Sequence, residues 1–150
     1  MAGEGAAMFV VNAEKEGASS QVLGIKTFHS QEEATVASQL NHFLEAYLPP
    51  GASIDLLLSG ENGDNRFLHF YTTCEAQLGI NLPVARYKHL TGEYPSASAV
   101  AVWLASRVIQ TQTLPRQMLK SGVSPRKFQY ILLYNHYQGL QHSFILLAQE

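Results

Sequence analysis

The apolar positions of this chain fall into short runs and one-sided helical stripes separated by turn residues, a spacing that predicts alternating strands and helices. Ala6–Asn12 (AAMFVVN) reads as a short apolar strand, Glu14–Ser20 as a polar turn and Val22–Phe28 as a second strand, so the two strands are expected to pair as a hairpin. At Ser30 the period changes. Ser30-Gln31-Glu32-Glu33 has the form of a capping box, and Val36, Leu40, Phe43, Leu44 and Tyr47 follow on one helical face. Pro49, Pro50 and Gly51 end that helix. Ile54–Leu58 (IDLLL) reads as a buried strand, and the turn Ser59–Asn65 leads into a helix expected from Asp64 to Leu78. Leu82–Arg86 is a further short strand, which Pro83 limits to an end or an edge, and Tyr87–Pro95 is a long loop.

Ser96–Gln110 (SASAVAVWLASRVIQ) is the third helix. It carries one charge, Arg107, and no clear polar face, and its small serines and alanines permit close approach. A helix apolar all round is normally covered on both sides. Thr111–Ser124 is a turn-rich connection with Pro115 and Gly122, and Phe128–Tyr134 and Ser143–Ala148 close the chain as an antiparallel hairpin. The expected order is β-β-α-β-α-β-α-β-β, an α/β fold in which one mixed five-stranded sheet carries helices, parallel in the middle and hairpinned at its ends.

Composition narrows the function classes. The chain has 150 residues, 46% apolar, with 10 basic and 12 acidic side chains and a formal charge of −2. That suits a single domain spanning 1–150 with one core, and it lacks the basic surplus that non-specific nucleic-acid binding requires. No apolar run approaches the roughly 18 residues of a membrane span. The first residues do not read as a secretory signal, and Cys74 is the only cysteine, so a cytoplasmic location is expected.

The candidate chemistry lies in two loops. SGENGDN (Ser59–Asn65) joins a strand's carboxyl end to a helix's amino end, the usual ligand position in such sheets. It is neither a dinucleotide fingerprint nor a phosphate loop, and without glycine at Leu57 it is no nucleophile elbow. KHLTGEYP (Lys88–Pro95) gathers a lysine, a histidine, a glycine and a carboxylate just before the apolar helix. The six histidines (His29, His42, His69, His89, His136 and His142) lack paired zinc spacing and read as surface or hydrogen-bonded core residues, so neither a metal nor a cofactor is expected. Cys74 reads as an inert, partly buried thiol, and Tyr130, Tyr134 and Tyr137 as strand packing.

In order, these segments resemble the C-terminal half of a β-ketoacyl synthase, one of the thiolase-fold condensing enzymes. Gly3-Glu4-Gly5-Ala6-Ala7 before Met8–Val11 resembles the family's Gly-Glu-Gly-Ala strand opening, and Ile54–Asp64 its strand and His-Gly-Thr-Gly-Thr…Asp loop. Lys88…Gly92-Glu93 with Ser96-Ala97-Ser98-Ala99 resembles its Lys…Gly-His loop and small-residue helix. Asn135-His136-Tyr137, Gly139 and Ser143–Leu147 resemble its Asn-Ser-Phe-Gly turn and last strand. The resemblance implies a thiolase-like half, with catalytic positions at Ser59, Lys88 and Glu93 and substrate-binding positions at Gly60, Asp64, Gly92, Asn135, Tyr137 and Gly139.

The same resemblance implies lost chemistry. The family condenses acyl chains with a thioester-forming cysteine and two histidines that stabilise charge on the malonyl carbonyl. Here Ser59 and Glu93 stand at the two histidine positions, only Lys88 matches, and Cys74 does not correspond to the nucleophile. The implied function is a non-catalytic ketosynthase-like domain of fatty-acid, polyketide or aryl-polyene-type synthesis. Its partners would be a ketosynthase N-terminal half, a full ketosynthase subunit or a second copy, with an acyl carrier protein as a further partner. Two alternatives stand beside it: the C-terminal half of an active or altered 3-oxoacyl synthase completed by another polypeptide, and a free-standing small-molecule-binding α/β domain.

Overall fold

The computed structural model describes residues 2–13 and 17–150. Six strands form one mixed sheet: β1 (Gln21–His29), β2 (Leu56–Ser59), β3 (Val84–Arg86), β4 (Leu119–Ser121), β5 (Tyr130–Tyr137) and β6 (Gln141–Ala148). They lie in the order β1-β6-β5-β2-β3-β4. β2 runs parallel to β3 and to β5, while the β5–β6, β6–β1 and β3–β4 pairs are antiparallel. The helices are α1 (Glu33–Tyr47), α2 (Leu68–Leu78), the short α3 (Lys88–Thr91) and α4 (Ala97–Thr111).

Strand alternation sorts the apolar side chains into two layers. Leu57 of β2, Leu132 and Tyr134 of β5, and Phe144 and Leu146 of β6 pack with Val36, Leu40 and Phe43 of α1 and with Phe70, Tyr71 and Cys74 of α2. Leu56, Leu58, Ile131, Leu133 and Leu147 point the other way, onto Ala97, Ala101, Ala105, Val108 and Ile109 of α4. The alanines at every fourth place of α4 bring that helix close to the sheet.

This arrangement contains a reversal that positions the site. The chain leaves β2 and returns to its neighbour β3 through α2, on one face of the sheet. It then crosses through α4, on the opposite face, to reach β5 on the other side of β2. Connections that leave adjacent parallel strands on opposite faces open a crevice at the strands' carboxyl ends. Here that crevice lies beyond Ser59 and Asn135.

Several expectations change. Ala6–Asn12 forms no strand and no hairpin with β1; among the described residues β1 pairs with β6 alone, from Gln21↔Ala148 onward, and is the edge strand of the sheet. Within the expected turn Glu14–Ser20, residues 14–16 lie outside the described residues. The sheet has six strands rather than five: of the six strand segments in the expected order Ala6–Asn12 is lost, and β4, inside the connection expected as turns, is gained. Its three residues carry no periodic signal and pair by backbone alone. The Ser30 capping box does not close. The helix begins at Glu33, and Ser30 Oγ instead accepts the Glu32 N–H at 3.0 Å.

The second helix starts at Leu68, not Asp64, because Asp64 is engaged with Arg66 in the preceding turn. The Tyr87–Pro95 loop holds α3, whose carbonyl at Lys88 accepts the Gly92 N–H. Tyr130 and Tyr134 pack against the α1–α2 layer as expected, but Tyr137 lies exposed at the end of β5. Among the described residues α4 is covered by the sheet on one side only, and Trp103 on its outer side is 47% exposed. No helix among these is long and apolar enough to cross a membrane.

Candidate functional site

The carboxyl ends of β2 and β3 deliver the polar groups of the crevice. After Ser59 the chain turns at Gly60, whose N–H donates to Tyr134 O at 2.8 Å and whose carbonyl accepts the Tyr71 hydroxyl at 2.8 Å. Ser59 is fully buried, and its Oγ accepts the Glu61 N–H at 3.2 Å. That bond holds the turn and commits Ser59 to structure.

Beyond β3, α3 places Lys88 with its side chain only 1% exposed. Gly92 ends α3 at φ +85°, in contact with Gly3, a backbone that a side chain would strain. The chain thereby folds back so that Glu93 meets Lys88. Lys88 Nζ donates to Oε1 and Oε2 of Glu93 at 2.9 and 2.8 Å, and Asn62 Nδ2 donates to Oε2 at 2.9 Å. Burial pulls the Lys88 pKa below that of an ordinary lysine, with the Glu93 carboxylate opposing the shift. The ammonium is therefore held charged by one carboxylate.

Asn135, on β5, closes the crevice from the other side. Its Nδ2 donates to Ser98 Oγ at 3.0 Å, on the first turn of α4. Among the described residues its buried Oδ1 and the buried hydroxyl of Tyr87 have no hydrogen-bond partner. Both residues line one narrow internal space together with Ser98, Leu133 and Ser143. Burial also pushes the Tyr87 phenol pKa far up, so it remains a neutral donor.

The structure thus joins Ser59, Gly60, Lys88, Gly92, Glu93 and Asn135 of the expected set around one crevice. It leaves three apart. Asp64 is turned to the Arg66 guanidinium, at 2.6 Å from Oδ2, which holds its carboxyl well below the usual range. Tyr137 is exposed at the strand end, and Gly139, at φ +62°, makes the β5–β6 turn. Asn62, Tyr87 and Ser98 belong to the site but were not singled out. Asn62 lies inside the SGENGDN turn and Ser98 inside the small-residue segment Ser96–Ala99, whereas Tyr87 carries no signal in the sequence beyond opening the Tyr87–Pro95 loop. Beside the site, Glu61 is nearly buried between Arg86 and Lys120, with Lys120 also reaching Glu75 at 2.7 Å. Among the described residues no cluster of three or more histidine, cysteine or acidic side chains could hold a metal ion.

Chemically, the crevice offers the Glu93 carboxylate as an acceptor, an ammonium already engaged by it, and the Tyr87 hydroxyl, unpaired among the described residues, as a donor. The Lys88 ammonium is engaged, Glu93 accepts, and Ser59 Oγ is tied to the Glu61 N–H. Cys74 lies fully buried on α2, in the opposite layer, where burial pushes its thiol pKa far above the usual value. No thiolate is available to form an acyl thioester.

No protein-family model matches this chain, and no curated protein matches it. Solved structures do. A β-ketoacyl synthase from Burkholderia phymatum superposes with TM-score 0.72 at 11% identity, over 88% of this chain and 38% of that one. The ishigamide ketosynthase/chain length factor gives 0.72 at 12%, over 88% and 38%. A type II polyketide ketosynthase, solved in complex with its acyl carrier protein, gives 0.71 at 12%, over 88% and 39%. The chain therefore has the fold of a ketosynthase part, a thiolase-like mixed sheet between helices. It spans about two fifths of the ketosynthase chains it matches.

Proposed function

We propose that this chain is a ketosynthase-like unit without condensation chemistry of its own. It would act by association with a ketosynthase half or subunit during acyl-chain assembly in a fatty-acid, polyketide or aryl-polyene-type pathway. The Lys88–Glu93 pair carries this reading. A decarboxylative condensation needs hydrogen-bond donors aimed at a developing enolate oxygen. The crevice instead presents a carboxylate that accepts, and that carboxylate consumes the ammonium behind it. The exposed outer side of α4 and the similarity in fold to part of longer ketosynthase chains support association.

Light scattering of the chain mixed with a ketosynthase N-terminal half and, separately, with a full ketosynthase subunit tests the reading. A complex with the summed mass is expected, together with no malonyl-thioester decarboxylation by the chain alone. Decarboxylation by the isolated chain that disappears in Lys88→Ala would overturn the non-catalytic assignment. A monomer that ignores both such partners and further copies of itself would overturn the association.

A further inference from the structure

Lys88 is an ammonium taken out of water, and it survives as a cation only because an anion reaches it. Removing such an ion from solvent costs several kcal/mol unless a well-placed counter-charge offsets it. That counter-charge does not come from the layer that buries Lys88. It comes from Glu93, which is one-third exposed and enters from the solvent side. Its carboxylate is gripped from two separate loops, by Lys88 after β3 and by Asn62 after β2. Such a grip, with donors converging from two strand ends on one carboxylate, is how a bound acid would be held.

We propose that Lys88 and Asn62 form a binding site for a small carboxylate, which the side chain of Glu93 fills in the resting protein. As a tethered occupant, Glu93 acts at high effective concentration and keeps soluble acids out. The ligand class is set by the end of the Glu93 side chain, a carboxylate on the Cγ methylene, which is the size of an acetate ion. This assignment concerns the crevice alone and is independent of any partner.

Glu93→Ala removes the atoms of one acetate ion from between solvent and Lys88 Nζ, since the Glu93 side chain is itself one-third exposed and in contact with Nζ. Thermal unfolding of this variant at neutral pH, with sodium acetate titrated against sodium chloride at constant ionic strength, tests the site. Acetate is expected to raise the Tm of Glu93→Ala saturably, by roughly 3–6 °C at ten times its Kd. Acetamide and the bulkier pivalate are expected to leave the Tm where chloride does. Wild type, Glu93→Gln with that space still filled, and the double variant Lys88→Met/Glu93→Ala are expected to show no saturable response. Equal stabilisation by chloride, acetamide or pivalate overturns the site, and so does a full acetate response without Lys88. If Glu93→Ala does not fold in chloride, recovery of its helical circular dichroism on dilution from urea into acetate supports the site. Failure to recover in acetate overturns it.

Discussion

Gly60 and Asn135 approach so closely that a Cβ on Gly60 would lie 2.3 Å from Oδ1 of Asn135. The contact joins the carboxyl ends of β2 and β5 at the side of the crevice that Asn135 closes. Gly60→Ala therefore forces either the turn or the asparagine to move. A cost of about 1–3 kcal/mol is expected in urea unfolding. Asn135→Ala in the same chain should return part of that loss, because the clash is with its side chain. A Gly60→Ala protein as stable as wild type would show that the turn gives way freely.

The Lys88–Glu93 pair predicts an asymmetry. Glu93→Gln leaves a buried ammonium with only neutral acceptors, and a loss of about 3 kcal/mol is expected. Lys88→Met leaves a carboxylate that is one-third exposed and can hydrate, so the loss should be nearer about 1 kcal/mol. Denaturation of the two variants side by side checks the order, and Lys88→Met as the costlier change would contradict it.

Two buried histidines predict acid sensitivity. His136 stacks on Tyr71 with ring centroids 4.6 Å apart, and its Nδ1 accepts the Gly139 N–H. Burial, with His142 and Lys88 nearby, lowers its pKa from 6.5 to about 4. His142 is lowered too, chiefly by burial. Its Nε2 sits 3.0 Å from the Ser30 carbonyl, which can only accept, so Nδ1 takes the Tyr134 hydroxyl hydrogen. Both groups bind protons more readily in the unfolded chain. Stability is thus fully present above the ordinary histidine value and falls as pH drops below it. For His136 the loss amounts to about 3 kcal/mol by the time pH reaches its folded value. Unfolding free energies measured from pH 7 to 4 should show this slope, and His136→Phe should flatten it. An unchanged slope in that variant would remove His136 from the account.

Cys74 is fully buried with its thiol pKa pushed up, so iodoacetamide should leave the native protein unlabelled and modify it in urea. Rapid native labelling would place the thiol at an accessible opening.

Much of the architecture was legible because its elements carry periodic apolar signals. Val36, Leu40 and Phe43 marked α1, the leucines of β2 marked a central strand, and the spacing of the last two runs marked the β5–β6 hairpin. β4 was illegible because three residues cannot display a period, and α3 because a single turn cannot either. Ala6–Asn12 misled for the opposite reason. Its composition suits a strand, but a strand exists only with a partner, and among the described residues the outer edge of β1 stays unpaired while the segment runs beside α4, where Gly5 O accepts the Ser96 hydroxyl.

By itself, the sequence determined the α/β alternation, the parallel centre of the sheet and the two loops that carry the polar groups, since each follows from local spacing. Only the tertiary structure decided that the loops meet. Lys88 and Glu93 are close in the chain, but their pairing requires the turn at Gly92, and Asn62 arrives from another strand end. Asp64, by contrast, looked like part of the same loop and was claimed by its neighbour Arg66. Charge in a sequence does not state which counter-charge it will find; burial and the crossing of β2, β3 and β5 settle that, because a buried ammonium must take the carboxylate the fold brings to it.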